Sequence, residues 1–130
     1  MRRSMLVVVL LSSFAFAQDD AAKPHFSPSP RRGERIYKTY CHHCHGPEAD
    51  GTGHMGKSLP TQPTDLTDPA LESQLTEDKI FKLVRDGSAK QGGSIFMIAW
   101  RVVLKDDEIH DVAQYTVNLA ATGRAKRLKK

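Results

Sequence analysis

Apolar residues recur at helical spacing in three segments of the chain, which shows no convincing strand and no internal repeat. The residues on one predicted face of the first segment are Ile36, Tyr37, Tyr40, Cys41 and Cys44. Ser29 is a favourable N-cap and Pro30 suits the first helical position, so this helix is predicted to begin there. Gly33 lies one turn before Tyr37 on the same side. Because glycine costs helix stability, it predicts the close approach of another helix.

The second and third segments also predict helices. The second helix begins after Thr76 as N-cap and stops at Gly87, and the last runs from about Asp106 to Thr122 with Gly123 ending it. The inner-face residues are Ile80, Phe81 and Val84 in the second helix, and Ile109, Val112, Ala113, Thr116, Leu119 and Ala120 in the last. The pattern therefore predicts an all-α fold of three main helices joined by long loops.

Two long segments between the helices are predicted as loops. Residues 46–69 are rich in Gly, Pro, Thr and Asp, with a short helix predicted at Asp68-Pro69. Residues 87–94 are rich in glycine and lead into the apolar run from Ile95 to Trp100. Loops of this length are unusual in a compact domain unless they pack on something or serve a function.

The amino-terminal residues have the pattern of a signal peptide. Two arginines precede an apolar run of about ten residues, 5–14, and Ala15-Phe16-Ala17 has the small-x-small form of a cleavage site. Residues 1–17 are therefore predicted to be removed before Gln18. The apolar run is too short to span a bilayer, although an uncleaved membrane anchor is the alternative. Residues 18–30 are predicted to be a polar, proline-punctuated flexible linker.

Charge is distributed unevenly along the chain. The chain has 19 Lys and Arg against 15 Asp and Glu, a net charge of +4. Five of the basic residues lie in 124–130, which is predicted to form a basic tail. Residues 18–123 hold twelve basic and fifteen acidic residues, a net charge of −3. This distribution predicts a polarised electric field and does not resemble the basic stripe of a nucleic-acid-binding protein.

The two cysteines belong to one motif, Cys41-His42-His43-Cys44-His45. A disulfide between them would close a very short loop and would stabilise little. The C-x-x-C-H string is a signal for attachment of a c-type haem. Two thiols on one helical turn can add to the two vinyl groups of a porphyrin, and His45 then presents its imidazole to the iron.

Two other kinds of site remain as weaker alternatives. A zinc site needs four ligands, and His42, His43 and His54 are near the cysteines, but no second C-x-x-C pair or H-x3-5-H pair is present. A redox-active dithiol is expected in a βαβ setting, which the pattern does not show. His42 and His43 are interpreted as exposed residues that fill the two x positions.

From Gly33 to Leu119 the chain resembles the class I cytochromes c. The residues that carry the resemblance are Gly33, Tyr37, Cys41, Cys44, His45 and Gly46, then Asp50-Gly51-Thr52-Gly53, Asp65-Leu66-Thr67-Asp68, Gly87, Met97, Ala99, Trp100, Tyr115 and Leu119. The resemblance implies that residues 31–123 form a cytochrome c domain that wraps one covalently bound haem. It also implies a close crossing of the first and last helices, with Gly33 and Tyr37 against Val112, Tyr115 and Leu119.

The resemblance further implies that Met97 supplies the sixth iron ligand and that Trp100 offers its indole N–H to a haem propionate. The alternatives are an ordinary core methionine and an ordinary core tryptophan. His54 or His110 as the ligand, or an open sixth position, also remain alternatives.

The chain departs from the family pattern at two positions. Ile98 stands where a proline usually follows the methionine ligand. Lys57 stands where a proline usually follows Gly56 and offers its carbonyl to the Nδ1–H of His45. Any residue offers a carbonyl, but loss of the fixed φ of proline is expected to loosen both loops.

The predicted function is electron transfer in the periplasm, as a soluble carrier or as the haem subunit of a redox complex. The expected partners are redox proteins, with no nucleic acid and no stable membrane span after signal cleavage. The chain is predicted not to be an enzyme. The alternative is a peroxidase-like haem enzyme or sensor with an open sixth iron position.

Overall fold

The computed structural model describes residues 27–129, so the predicted signal peptide and most of the predicted linker lie outside the described residues. The helices are α1 (Pro30–Ile36), α2 (His42–His45), α3 (Glu77–Asp86) and α4 (Asp106–Arg127), and a π-helical turn (Tyr37–Cys41) joins α1 to α2. Short 3-10 turns cover Gly56–Ser58, Pro69–Gln74, Ala89–Gln91 and Trp100–Val102. Residues 27–129 contain no strand, and the predicted all-α class is confirmed. None of their helices is long and apolar enough to cross a bilayer.

The predicted starts of two helices and one helix end are confirmed. The hydroxyl of Ser29 accepts a hydrogen bond from the N–H of Arg32 at 3.4 Å, and that of Thr76 accepts one from the N–H of Lys79 at 3.2 Å. Each cap thereby satisfies an N–H that the first helical turn leaves without a partner. Gly87 ends α3 with a φ of 77°, which favours glycine.

The close crossing expected at Gly33 is confirmed. A Cβ placed on Gly33 would lie 2.8 Å from the carbonyl carbon of Asp111 and 2.9 Å from the Cβ of Tyr115, so only glycine lets α1 approach α4 this closely. The rings of Tyr37 and Tyr115 lie 5.5 Å apart across the crossing. The buried inner-face residues are Ile36, Tyr37, Ile80, Phe81, Val84, Ile109, Val112, Ala113, Thr116 and Ala120.

A buried carboxylate, which the apolar pattern did not indicate, also holds this crossing. Asp111 on α4 is 1% exposed, and it accepts hydrogen bonds from the backbone N–H of Ser29 at 2.8 Å and from the Nε of Arg32. Arg32 also forms an ion pair with Asp107 at 2.8 Å. The start of α1 is therefore tied to α4 by charge-assisted hydrogen bonds as well as by apolar packing.

The predicted end of the last helix at Gly123 is wrong, because α4 continues to Arg127. Gly123 is not among the described glycines with positive φ. Instead it is buried against the loop that follows α2, where an added Cβ would lie 2.6 Å from the Cγ2 of Thr67. The glycine therefore permits a close contact and does not end the helix.

Basic residues that were expected in a separate tail belong to the last turn of α4 and contact the same loop. Arg124 is buried and donates a hydrogen bond to the carbonyl of Leu66 at 2.9 Å. Lys126 forms an ion pair with Glu48 at 2.7 Å. The end of α4 thus fastens the loop that leaves the cysteine motif.

Candidate functional site

The π-helical turn presents the cysteine motif. The N–H of His42 donates to the carbonyl of Tyr37, which is the wide hydrogen bond of a π-helix. The extra residue in this turn rotates the following side chains by about 100° relative to a regular α-helix. Tyr37 is buried while Tyr40 is 37% exposed, so two residues predicted to share one face differ in burial.

Hydrogen bonds hold the end of the motif in place. The buried hydroxyl of Tyr37 donates to the carbonyl of Gly46 at 2.8 Å. The N–H of Met55 donates to the carbonyl of His43 at 2.9 Å. These bonds pair carbonyls that the end of a short helix would otherwise leave without partners.

Glycines bring the following loop against the backbone of the motif. A Cβ on Gly53 would lie 2.5 Å from the carbonyl carbon of Cys44, and a Cβ on Gly56 would overlap the carbonyl oxygen of the same residue. The N–H of Gly51 donates to the carbonyl of His45 at 2.9 Å. This loop therefore wraps closely over the turn that carries both thiols and the imidazole.

The motif supplies two free thiols and one imidazole that is neutral at pH 7. Both Cys41 and Cys44 are free thiols and half-buried. Burial, with a smaller contribution from Cys44, raises the pKa of Cys41 to about 12, so this thiol is protonated at neutral pH. Burial lowers the pKa of His45, so its imidazole is neutral and can bind a metal.

The imidazole of His45 also has a polar atom without a partner. Its Nδ1 is buried and has no hydrogen-bond partner among residues 27–129. The bond that the family usually forms from this atom to the carbonyl at position 57 is therefore absent from these residues. The buried Nδ1 atoms of His42 and His43 likewise have no partner among these residues, so this feature does not distinguish His45 from its neighbours.

Met97 and Trp100 lie on the loop between α3 and α4, which contacts the π-helical turn through Trp100. The N–H of Ser88 donates to the carbonyl of Met97 at 3.0 Å, and Met97 is half-buried against the core. The rings of Trp100 and Tyr40 lie 5.2 Å apart. Because Tyr40 precedes Cys41, this contact brings the loop to the motif. The roles of Met97 as ligand and Trp100 as propionate donor remain predictions.

Exposed apolar side chains are concentrated around the motif. Seven of the eight exposed large apolar residues in the described part of the chain are Tyr40, Met55, Ile95, Phe96, Ile98, Val102 and Val103. They lie beside Cys41 or on the two loops that flank the motif, which are residues 46–69 and 87–105. A large exposed apolar surface marks a site for a ligand or a partner, and this one fits an apolar cofactor such as haem.

The other histidines near the motif are grouped but do not form a metal site. The rings of His42 and His43 lie 3.9 Å apart, and those of His43 and His54 lie 5.3 Å apart. His42 and His43 are half-buried, so the expectation that they are exposed is wrong. Within residues 27–129 no three His, Cys, Asp or Glu side chains are placed to hold a metal ion. His110 is stacked on Phe81 at 4.1 Å.

The chain matches the model of a known protein family. The model of the family described as cytochrome C oxidase, cbb3-type, subunit III matches residues 28–115. The match includes the C-x-x-C-H motif, both flanking loops and the first half of α4. No curated protein matches the chain.

Proposed function

This chain belongs to the family of cytochrome c oxidase, cbb3-type, subunit III, and we propose that it carries single electrons on one covalently bound haem c. The resemblance to class I cytochromes c is confirmed by this membership, and electron transfer on haem is the activity that the family suggests. The observation that carries the proposal is the packing of Trp100 on Tyr40 at 5.2 Å, which brings the loop between α3 and α4 against the turn that contains Cys41.

Five side chains would hold the haem, in the roles that the sequence predicts. They are Cys41 and Cys44 as thioether links, His45 and Met97 as axial ligands, and Trp100 as a donor to a propionate. Bound haem supplies an iron that accepts and releases one electron. His45 is suited to its role because burial lowers its pKa and its imidazole is neutral.

Covalent attachment is tested by extraction with acidified acetone. The protein, produced with a haem-attachment system, should keep its haem after denaturation and extraction and should gain the mass of one haem. Replacement of both Cys41 and Cys44 by alanine should abolish attachment, whereas His42→Ala is the matched control and should retain it. Release of free haem from the wild-type protein would contradict the proposal.

Axial ligation by Met97 is tested by absorption spectroscopy. The oxidised protein should show the weak near-infrared band of a thioether bound to ferric iron, and Met97→Ala should remove the band and lower the reduction potential. Met55→Ala is the matched control, since Met55 is exposed on the other loop and should leave both unchanged. If Met97→Ala keeps the band, another residue binds the iron.

Rapid peroxide consumption without electron transfer would favour a haem enzyme with an open sixth iron position.

The proposed location is the periplasm, and the proposed partners are redox proteins that exchange electrons with a soluble carrier or with a subunit of a larger complex. Residues 1–17, which are the basis for export, lie outside the described residues. Sequencing of the secreted protein should find Gln18 at the amino terminus. Retention of Met1 would instead support an anchored form.

A further inference from the structure

Basic side chains form a stripe along the exposed side of α1 and the π-helical turn that follows it. Arg31, Arg35 and Lys38 are all exposed to solvent. They line one shallow surface groove together with Glu34 and Thr39. Intervals of three and four residues place such side chains on neighbouring turns of one side of a helix. We define the basic stripe as these three basic residues.

The basic stripe keeps most of its positive charge. Among the described residues that line the groove, Glu34 supplies the one carboxylate, and it is paired with Lys38 at 2.6 Å. Arg31 and Arg35 form no ion pair with the described residues. Within this part of the chain, two guanidinium groups are therefore left without a counter-charge.

The neighbouring helix does not neutralise the basic stripe either. At the crossing with α1, Asp107 and Asp111 of α4 are both paired with Arg32, which lies outside the stripe. Beyond the crossing, residues 112–123 of α4 contain no Asp, Glu, Lys or Arg. Because the pairs with Arg32 hold α1 against α4, the stripe is presented on a helix that is fixed to the domain.

The composition of the basic stripe distinguishes between kinds of anionic partner. A protein interface usually has an apolar or aromatic centre inside its polar rim. None of the described exposed large apolar residues lies between positions 27 and 39, so the stripe has no such centre. The surface of an anionic bilayer requires none, since it attracts each nearby Lys or Arg by charge. Guanidinium groups also match the geometry of a phosphate.

We propose that the basic stripe binds the surface of an anionic phospholipid bilayer, with Arg31 and Arg35 in contact with headgroup phosphates. The contact is peripheral and weak, and salt screens it. It goes beyond the proposed function, because a protein held at a membrane surface meets membrane-bound partners by diffusion in two dimensions. The haem takes no part in the contact.

Sedimentation with lipid vesicles tests the proposal. The secreted holoprotein is mixed with vesicles of phosphatidylglycerol and phosphatidylcholine in equal amounts at an ionic strength of about 10 mM, and the bound fraction is measured on gels. Replacement of both Arg31 and Arg35 by glutamine should weaken binding by about 30-fold. Replacement of both by lysine keeps the charge and should weaken it by less than about threefold.

The matched control removes two positive charges from another part of the surface. Lys57 and Lys90 are exposed on the two flanking loops, and replacement of both by glutamine should weaken binding by less than about threefold. Circular dichroism should show the same helical content in all variants, because each replaced side chain is exposed.

Two further measurements identify the source of the attraction. Vesicles of phosphatidylcholine alone should bind little protein, and any binding through an apolar segment would occur on them as well. Inorganic phosphate should release no more protein from the anionic vesicles than sodium chloride does at the same ionic strength.

Several outcomes would overturn the proposal. Unchanged binding of the Arg31 and Arg35 glutamine variant, an equal loss in the Lys57 and Lys90 control, or equal binding to phosphatidylcholine would show that the basic stripe is not the contact. A larger release by phosphate would assign the groove to a small anion. Retention on immobilised poly-L-glutamate without binding to the vesicles would assign it to an acidic protein.

Failure of this proposal is distinguishable from failure of the proposed function. Haem attachment and electron transfer are measured without lipid, so they stand if the vesicles bind no protein. If the protein attaches no haem or cannot be reduced and reoxidised, the proposed function itself is wrong.

Discussion

Substitution of Gly33 by alanine tests how closely the first and last helices must approach. Gly33 has a helical backbone, so in an isolated helix the change to alanine would stabilise the protein by about 1 kcal/mol. At this crossing, however, the added methyl group would lie 2.8 Å from the carbonyl carbon of Asp111 and 2.9 Å from the Cβ of Tyr115. The obstacle includes main-chain atoms, which cannot rotate away as a side chain can.

The expected net effect follows from these opposing contributions. Relief of the overlap requires α1 and α4 to separate, which costs about 3 kcal/mol for overpacking in a close-packed core. Since the gain in helix propensity offsets about 1 kcal/mol, the free energy of unfolding should fall by about 2 kcal/mol. For a domain of this size the melting temperature should fall by about 10 °C.

Urea unfolding of the holoprotein, followed by circular dichroism, measures this change. The control is Gly92→Ala, because an added Cβ there has nothing within 4 Å. Gly92 has a φ of 77°, so the control should lose only about 1 kcal/mol from backbone strain. Stabilisation of the Gly33→Ala protein by about 1 kcal/mol would refute the close crossing, since that is the result for an unpacked helix.

Three further substitutions test hydrogen bonds that the structure shows. Tyr37→Phe removes a buried hydrogen bond and should destabilise the holoprotein by about 1–2 kcal/mol in urea unfolding. Asp111→Asn weakens the buried ion pair between α1 and α4 and should cost about 2–3 kcal/mol, whereas no change in the melting temperature would contradict that role. Burial of Asp65 would raise its pKa, but hydrogen bonds from Thr67 and Arg127 outweigh it and lower the pKa below 3.8. The carboxylate therefore stabilises the fold above about pH 4, and this stabilisation is lost as the pH falls. In an acid titration, the free energy of unfolding of Asp65→Asn should depend less on pH than that of the wild-type protein.

Local signals explain why parts of the fold were predictable. The caps at Ser29 and Thr76 act within one helical turn, so the sequence contains both the donor and the acceptor within a few residues. Gly87 adopts the positive φ that its position after a helix predicts. The spacing of Cys41, Cys44 and His45 is likewise local, since all three lie on neighbouring turns.

Contacts between distant segments explain where the sequence was insufficient. Gly123 resembles a helix stop, but its conformation is set by packing on Thr67, which lies in another part of the chain. Asp111 lies beside the apolar positions of α4, and only the fold shows that Arg32 and Ser29 bind it. The π-helical turn that exposes Tyr40 leaves no periodic signal, because one extra residue in one turn is too short to change a pattern.

The last helix fastens two parts of the site that are separate in the sequence. Near its start, Asp111 and the crossing at Gly33 hold α1, which continues into the cysteine motif. Near its end, Gly123 and Arg124 hold the loop that wraps the same motif. A shift of α4 would therefore move the cysteine motif and the loop of residues 46–69 together. Their positions relative to each other would stay fixed. Electron transfer benefits from such rigidity, because a site that changes little between oxidation states needs little reorganisation. The basic residues at the end of α4 consequently serve the geometry of the site.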